Sequence, residues 1–118
     1  HALVSYESHA LSHRNLKRLT EEEVRFELEG SRRHIQERFG NRANYLAYPK
    51  GAFSKKVARV VEAVGYTAAF TTEPRSVRSG EDMFTLPRIE IHAGVSFREF
   101  KARLTRAADW YYAIRRWL

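Results

Sequence analysis

The chain has no cysteine, a single methionine and three prolines, and only two of its 14 acidic residues are aspartates, Asp82 and Asp109. Without cysteine there can be no disulfide, no thiolate-held zinc and no cysteine nucleophile, and the redox compartment stays open. The aspartate shortage bears on chemistry differently. Sites that bind a metal or activate water commonly use aspartate, and here 12 of the acids are glutamates. No apolar run approaches the roughly 18 residues a membrane span needs. No secretory leader pattern is visible, and the opening His1-Ala2-Leu3-Val4 has no starting methionine. That opening reads as a piece of a longer chain, or as a processed or tagged one.

What is present suits one globular domain. Of 118 residues, 43% are hydrophobic and 13% aromatic, enough for a core and too many for disorder throughout. Twenty-one basic residues give a formal net charge of +7. They gather at Arg32, Arg33, Arg38 and Arg42, and again at Arg98, Lys101, Arg103, Arg106, Arg115 and Arg116. Trp110, Tyr111, Tyr112 and Trp117 interleave with the second group, as they would in a nucleic-acid binder. A solvated basic face explains the charge more simply, because cations near a helix C-terminus are favoured by its dipole. Weak contact with anionic envelope polymers or headgroups ranks next, and nucleic acid last.

The pattern predicts strands alternating with helices. Residues 1–7 are compatible with a strand end. Thr20 and Glu23 form a capping box opening a helix over 20–40, with Val24, Leu28, Ile35 and Phe39 on one face and Gly40 as its stop. Asn44 to Pro49 reads as a second strand. Ser54 caps a second helix with Val57, Val60, Val61 and Val64 inward, and Gly65 follows. Thr67 to Thr72 is a third strand, 73–82 a polar loop, and Phe84 to His92 a fourth strand. Ser96 and Glu99 make a second capping box for a helix over 96–118, with an apolar stripe Phe100, Leu104, Ala107, Tyr111, Ile114 and Leu118. The class is α/β, with about four strands and three helices. That is too few strands to close a barrel, so the chain is a small open sheet or part of a barrel.

Among five histidines, His9 and His13 stand out. They lie four residues apart just after the first strand segment, where ligands of α/β folds gather. On a helical turn that spacing puts two imidazoles on one side, close enough to share a metal. Pairs of surface or capping histidines show the same spacing, and a catalytic metal needs a third protein ligand.

The stretch Tyr6 to Thr20, with His9, His13, Asn15-Leu16 and Thr20-Glu21-Glu22, resembles the second motif of polysaccharide deacetylases, the NodB-homology domain of carbohydrate esterase family four. Ala10 stands where that family usually has Ser or Thr. Leu46 to Gly51 resembles the third motif, with Lys50 in place of an aromatic and Ala47 where other branches carry Arg. Ala63 to Thr72 and Leu86-Pro87-Arg88-Ile89 are similar to later segments of the same branch. The resemblance runs from about residue 6 to 95. The family's first motif, a strand ending in Asp-Asp, has no counterpart.

The resemblance implies part of a deformed (β/α) barrel spanning 1–118 as one partial domain. It implies metal-dependent hydrolysis of an N-acetyl or O-acetyl group on a glycan. His9 and His13 would hold a divalent ion, zinc first, with cobalt, nickel or manganese as alternatives. Tyr48, Pro49 and Lys50 would wall the site, the Lys50 backbone N–H facing the oxyanion. His92 is the candidate general acid, and Arg88 would orient the base. The expected partners are an acetylated glycan, and either the rest of the barrel or a second copy of the chain. The expected location is extracytoplasmic or at a bacterial cell envelope. Two other classes stay open: a non-catalytic module binding a glycan or a partner, and a small basic nucleic-acid binder.

Overall fold

The computed structural model describes residues 3–105, 109, 110, 113 and 114. Two helices pack on one face of a short parallel sheet. The first, α1 (Glu21–Phe39), opens on the capping box read from the sequence: Thr20 Oγ1 accepts from Glu23 N–H at 3.2 Å, and Thr20 N–H donates to Glu23 Oε2 at 2.9 Å. Three glutamates in its first turn complement the helix dipole, and Gly40, at φ 73°, ends it in the left-handed conformation. The second, α2 (Lys55–Val64), is capped by Ser54 and closed by Gly65.

Between and after them lie β1 (Tyr45–Ala47) and β2 (Ala68–Phe70), paired in parallel with Leu46 opposite Ala69. Ser8 bridges Leu46 on one side and Leu86 bridges Phe70 on the other, both parallel. The backbone therefore runs in sequence order through four adjacent parallel segments, the arrangement of an arc of a (β/α) barrel. α1 forms the first crossover and α2 the second, while loop 73–82 replaces a helix in the third.

Pleat alternation sorts the side chains. Leu46, Ala69 and Tyr48 face the helices and join Leu16, Val24, Leu28, Ile35, Val57, Val60, Val61 and Tyr66 in one core. Tyr45 and Phe70, on the other face, meet edge to face at 6.3 Å, with Tyr45 44% exposed. Arg32 ties α1 to the end of α2: its guanidinium donates to the Val64 carbonyl and lies 4.9 Å over the Tyr66 ring.

Five expectations need correction. Residues 3–7 are not a strand, because only Ser8 finds a ladder partner and Leu3 and Val4 stay exposed. The segment from Phe84 to His92 bridges only at Leu86. Pro87 has no N–H to offer, and Arg88 gives its own to Glu73, beyond the end of β2. The last helix buries none of its residues over α3 (Phe97–Arg103), so its stripe covers no core there, and Leu104 is 69% exposed. Ser96 caps this helix through Glu99 N–H, but the Glu99 carboxylate turns to Arg103, so the second capping box is only half formed. Phe39, expected on the core face, instead stacks on Tyr6 at 3.8 Å and stays partly exposed. The stripe positions Ala107, Tyr111 and Leu118 lie outside the described residues, as do Arg106, Tyr112, Arg115, Arg116 and Trp117.

The buried Tyr66 makes the core sensitive to alkali. Its hydroxyl donates to the Leu28 carbonyl at 3.1 Å, and burial pushes its pKa up to about 12. Unfolded, the phenol ionises near its ordinary value of 10. Stability from this group is therefore complete below about pH 10 and is lost as pH rises to about 12, a swing of roughly 2–3 kcal/mol. Tyr66→Phe is expected to be less stable by about 1 kcal/mol at neutral pH. It should also fall less steeply than wild type between pH 9 and 12, read from urea midpoints at each pH.

Candidate metal and oxyanion site

The site begins where the first ladder stops. Ser8 donates to the Tyr45 carbonyl and accepts from Ala47 N–H, at 3.0 and 2.9 Å. A continued parallel ladder would next send Ala10 N–H to the Ala47 carbonyl. Instead the chain turns, with Ala10 at φ 61°, and Ala10 N–H goes to Ser8 Oγ. The vacated Ala47 carbonyl is taken by His9 Nδ1 at 2.6 Å. A carbonyl only accepts, so Nδ1 carries a proton, which leaves Nε2 as the ring nitrogen available to a ligand. His13, also left-handed at φ 58°, brings its ring to 4.8 Å from that of His9 at a 65° tilt. Both rings are exposed. The two histidines thus meet through a folded loop rather than on the helical turn their spacing suggested. Each left-handed non-glycine residue costs about 1–2 kcal/mol, so something else must hold the loop.

That support comes from α1. Glu27, 3% exposed, accepts the N–H groups of Leu11 and Ser12 on Oε2, at 3.0 and 2.8 Å, and the Ser12 hydroxyl on Oε1. Ser31, one turn on, bonds Ser8 Oγ at 2.9 Å. Sequence reasoning missed Glu27, although a signal existed: a carboxylate in phase with Val24, Leu28 and Ser31 on the buried face.

Past β1 the chain makes a 3-10 turn over Pro49–Gly51 with Lys50 at φ 57° and Gly51 at φ 65°. Of the three residues expected to wall the site, only Lys50 is exposed. Tyr48 and Pro49 are fully buried. Tyr48 stacks on Phe53 at 5.4 Å and donates its hydroxyl to the Phe84 carbonyl at 2.9 Å, and burial pushes its pKa upward. Both are packed beneath the turn rather than at its surface. Among the described residues Lys50 N–H has no acceptor, which suits an oxyanion donor. Thr72 packs against Gly51 and, with Arg88, Ile89, Glu90 and Ile91, lines a cleft of about 320 Å³ beside this turn.

His92 and Arg88 are both exposed. His92 sits in a turn, its Nδ1 accepting from Gly94 N–H at 3.3 Å, with no hydrogen bond or ring contact to His9 or His13. Among the described residues no third carboxylate or histidine joins the pair. The described part of the chain offers two candidate metal ligands.

An arc of parallel strands with two histidines at its carboxyl end is the layout of a barrel hydrolase domain. Residues 3–69 match the polysaccharide deacetylase family, and the chain belongs to that family of NodB-homology hydrolases. It is 28% identical over 99 residues to YxkH of Bacillus subtilis, a polysaccharide deacetylase by name, covering 84% of this chain and 36% of that one. The polysaccharide deacetylase BC0361 of Bacillus cereus superposes with a TM-score of 0.78 at 26% identity, over 86% of this chain and 32% of its own. The deacetylase PplD of Streptococcus pyogenes, solved with acetate, shares the fold at a TM-score of 0.79 and 18% identity, over 86% and 45%. The chain therefore spans between about a third and under half of these relatives.

Gly51 tests how firmly the turn is set. A Cβ there would lie 2.1 Å from Thr72 Oγ1, at a φ that side chains rarely adopt. Gly51→Ala is expected to destabilise the protein by about 1–3 kcal/mol. Thermal unfolding of this variant should show no recovery in Gly51→Ala/Thr72→Ala if the φ strain dominates, and partial recovery if the clash does.

Proposed function

We propose that this chain is the histidine-bearing part of a metal-dependent glycan deacetylase, hydrolysing N-acetyl or O-acetyl groups once its barrel is completed. The observation that carries this reading is the meeting of His9 and His13, with the His9 tautomer set by the Ala47 carbonyl, in a chain of this family. His9 and His13 would hold the ion, zinc first and cobalt, nickel or manganese as alternatives, and the third ligand would come from a carboxylate outside the described residues. The ion, when bound, supplies Lewis-acid polarisation of a carbonyl and a water of lowered pKa.

The chain's own groups divide the remaining work. The Lys50 N–H donates to the oxygen that gains charge during attack. The cleft at Thr72, Arg88 and Glu90 receives the sugar, and Arg88 orients the attacking base. His92 would serve as the general acid: as the imidazolium, with the Gly94 N–H contact at Nδ1 given up, it passes one proton to the leaving group and returns to the neutral ring. A glycan substrate of this kind would lie outside the cytoplasm or at a bacterial envelope, and we read the protein as working there. The remaining barrel strands, from a further segment or a second copy of the chain, cover the open sheet edge.

One observation favours a second reading. With two ligands and no third among the described residues, the chain also suits a non-catalytic glycan- or partner-binding module. Complementing the chain with the remaining part of YxkH and assaying acetate release from an acetylated glycan separates the two. Release is expected, abolished by chelator and reduced at least about 100-fold in His9→Ala or His13→Ala. Absence of metal-dependent release from a folded complex would leave the module.

A further inference from the structure

We infer that Glu27 is the positioning residue of the two-histidine loop, acting through the backbone of Leu11 and Ser12 to hold His9 and His13 in one arrangement. Its consequence for metal binding rests on the reading above, while its geometry does not.

The loop leaves the ladder at Ser8 and reaches Leu16 with two non-glycine residues in the left-handed region, Ala10 and His13. Neither conformation is self-stabilising, and the two bracket Leu11 and Ser12. Both N–H groups of that pair point at a single carboxylate oxygen, and the Ser12 hydroxyl at the other. A carboxylate accepts only, so it can collect all three donors, and Glu27 itself is buried at 3% exposure beneath them. Among the described residues no other side chain accepts from these donors.

The same stripe of α1 supplies the rest of the seat. Gly30 lies against Leu11: a Cβ there would come within 2.9 Å of Leu11 Cδ2. Ser31 bonds Ser8 where the loop departs. Positions 27, 30 and 31 share one helix face, and all three serve the loop. A residue needed only for the helix would not aim its buried charge at a neighbouring loop between two candidate ligands. Glu27 is thus to the histidine pair what an outer-shell carboxylate is to a ligand imidazole, except that it grips the backbone.

The test uses the whole chain, comparing wild type with Glu27→Gln, Ser12→Ala and His9→Ala. Glutamine keeps the size but presents an NH2 group to donors. Glu27→Gln is expected to unfold cooperatively, to lose the ring-to-ring nuclear Overhauser contact of His9 and His13, and to exchange the Leu11 and Ser12 amides faster. Its affinity for Zn(II), by calorimetric titration, should fall about 10–100-fold. A folded Glu27→Gln that keeps the ring contact and the protected amides overturns the proposal, whatever its melting temperature. If Glu27→Gln does not fold, Ser12→Ala decides. A weakened ring contact supports the proposal and an unchanged one overturns it. Equal Zn(II) binding by wild type and His9→Ala would sink the metal reading alone, and the ring contact would still judge Glu27.

Discussion

The backbone bond that Ala47 does not make to Ala10 organises the site. In a parallel ladder each carbonyl waits for the amide two residues on. Here the ladder between Ser8 and β1 is cut short by the turn at Ala10, and the waiting Ala47 carbonyl captures His9 Nδ1 instead. That exchange fixes the tautomer, turns Nε2 outward and places the imidazole at the carboxyl end of a strand. The turn that frees the carbonyl needs an unfavourable backbone conformation twice, so the loop must be held from outside itself. α1 does so, and α1 is in turn placed by its own cap and by Val24, Leu28 and Ile35 in the core. Local chain chemistry, packing and site geometry are one sequence of dependencies.

The helices were legible because caps are local. Thr20 with Glu23, Ser54, Gly40 and Gly65 act within four residues, and each sits where its pattern placed it. The strands were less legible because pairing is not local. Leu3-Val4 and Ile89-Ile91 alternate or run apolar as strands do, yet only Ser8 and Leu86 meet a neighbour. Pro87 was a readable reason for the last of these. The burial of Tyr48 was hidden for the same reason. Tyr48 follows Leu46 by two, so the pleat sends both toward the helices, and motif membership alone did not reveal which way the side chain points. Glu27 was hidden differently: twelve glutamates on a basic chain make one more look like solvated surface until its phase on α1 is read.

The polar core groups show how little of this arrangement is hydrophobic in origin. Ser8, Glu27 and Ser31 are all buried, and each is bonded to another residue of the loop or its seat. Apolar replacements would pack, but they would give the loop no single position, since burial is non-directional and hydrogen bonds are not. The cost of burying Glu27 is offset by three donors, and the loop shape that results is stored in polar geometry beneath a pair of exposed rings.

On the proposed reading, the Ser8 edge is where a further strand would join. Ser8 gives both its N–H and its carbonyl to β1, so in an extended chain the groups of its neighbours would face the other way, toward a strand added beside the segment that ends at His9. Its carboxyl end would reach the level of the two imidazoles, the position from which a carboxylate could join them. The family resemblance places its Asp-Asp strand ahead of the histidine motif, and the chain spans only 36% of YxkH and 32% of BC0361. On the proposed reading, a strand added at the Ser8 edge would cover that edge and could carry a third ligand, whereas the Leu86 edge borders the arc on the side away from His9.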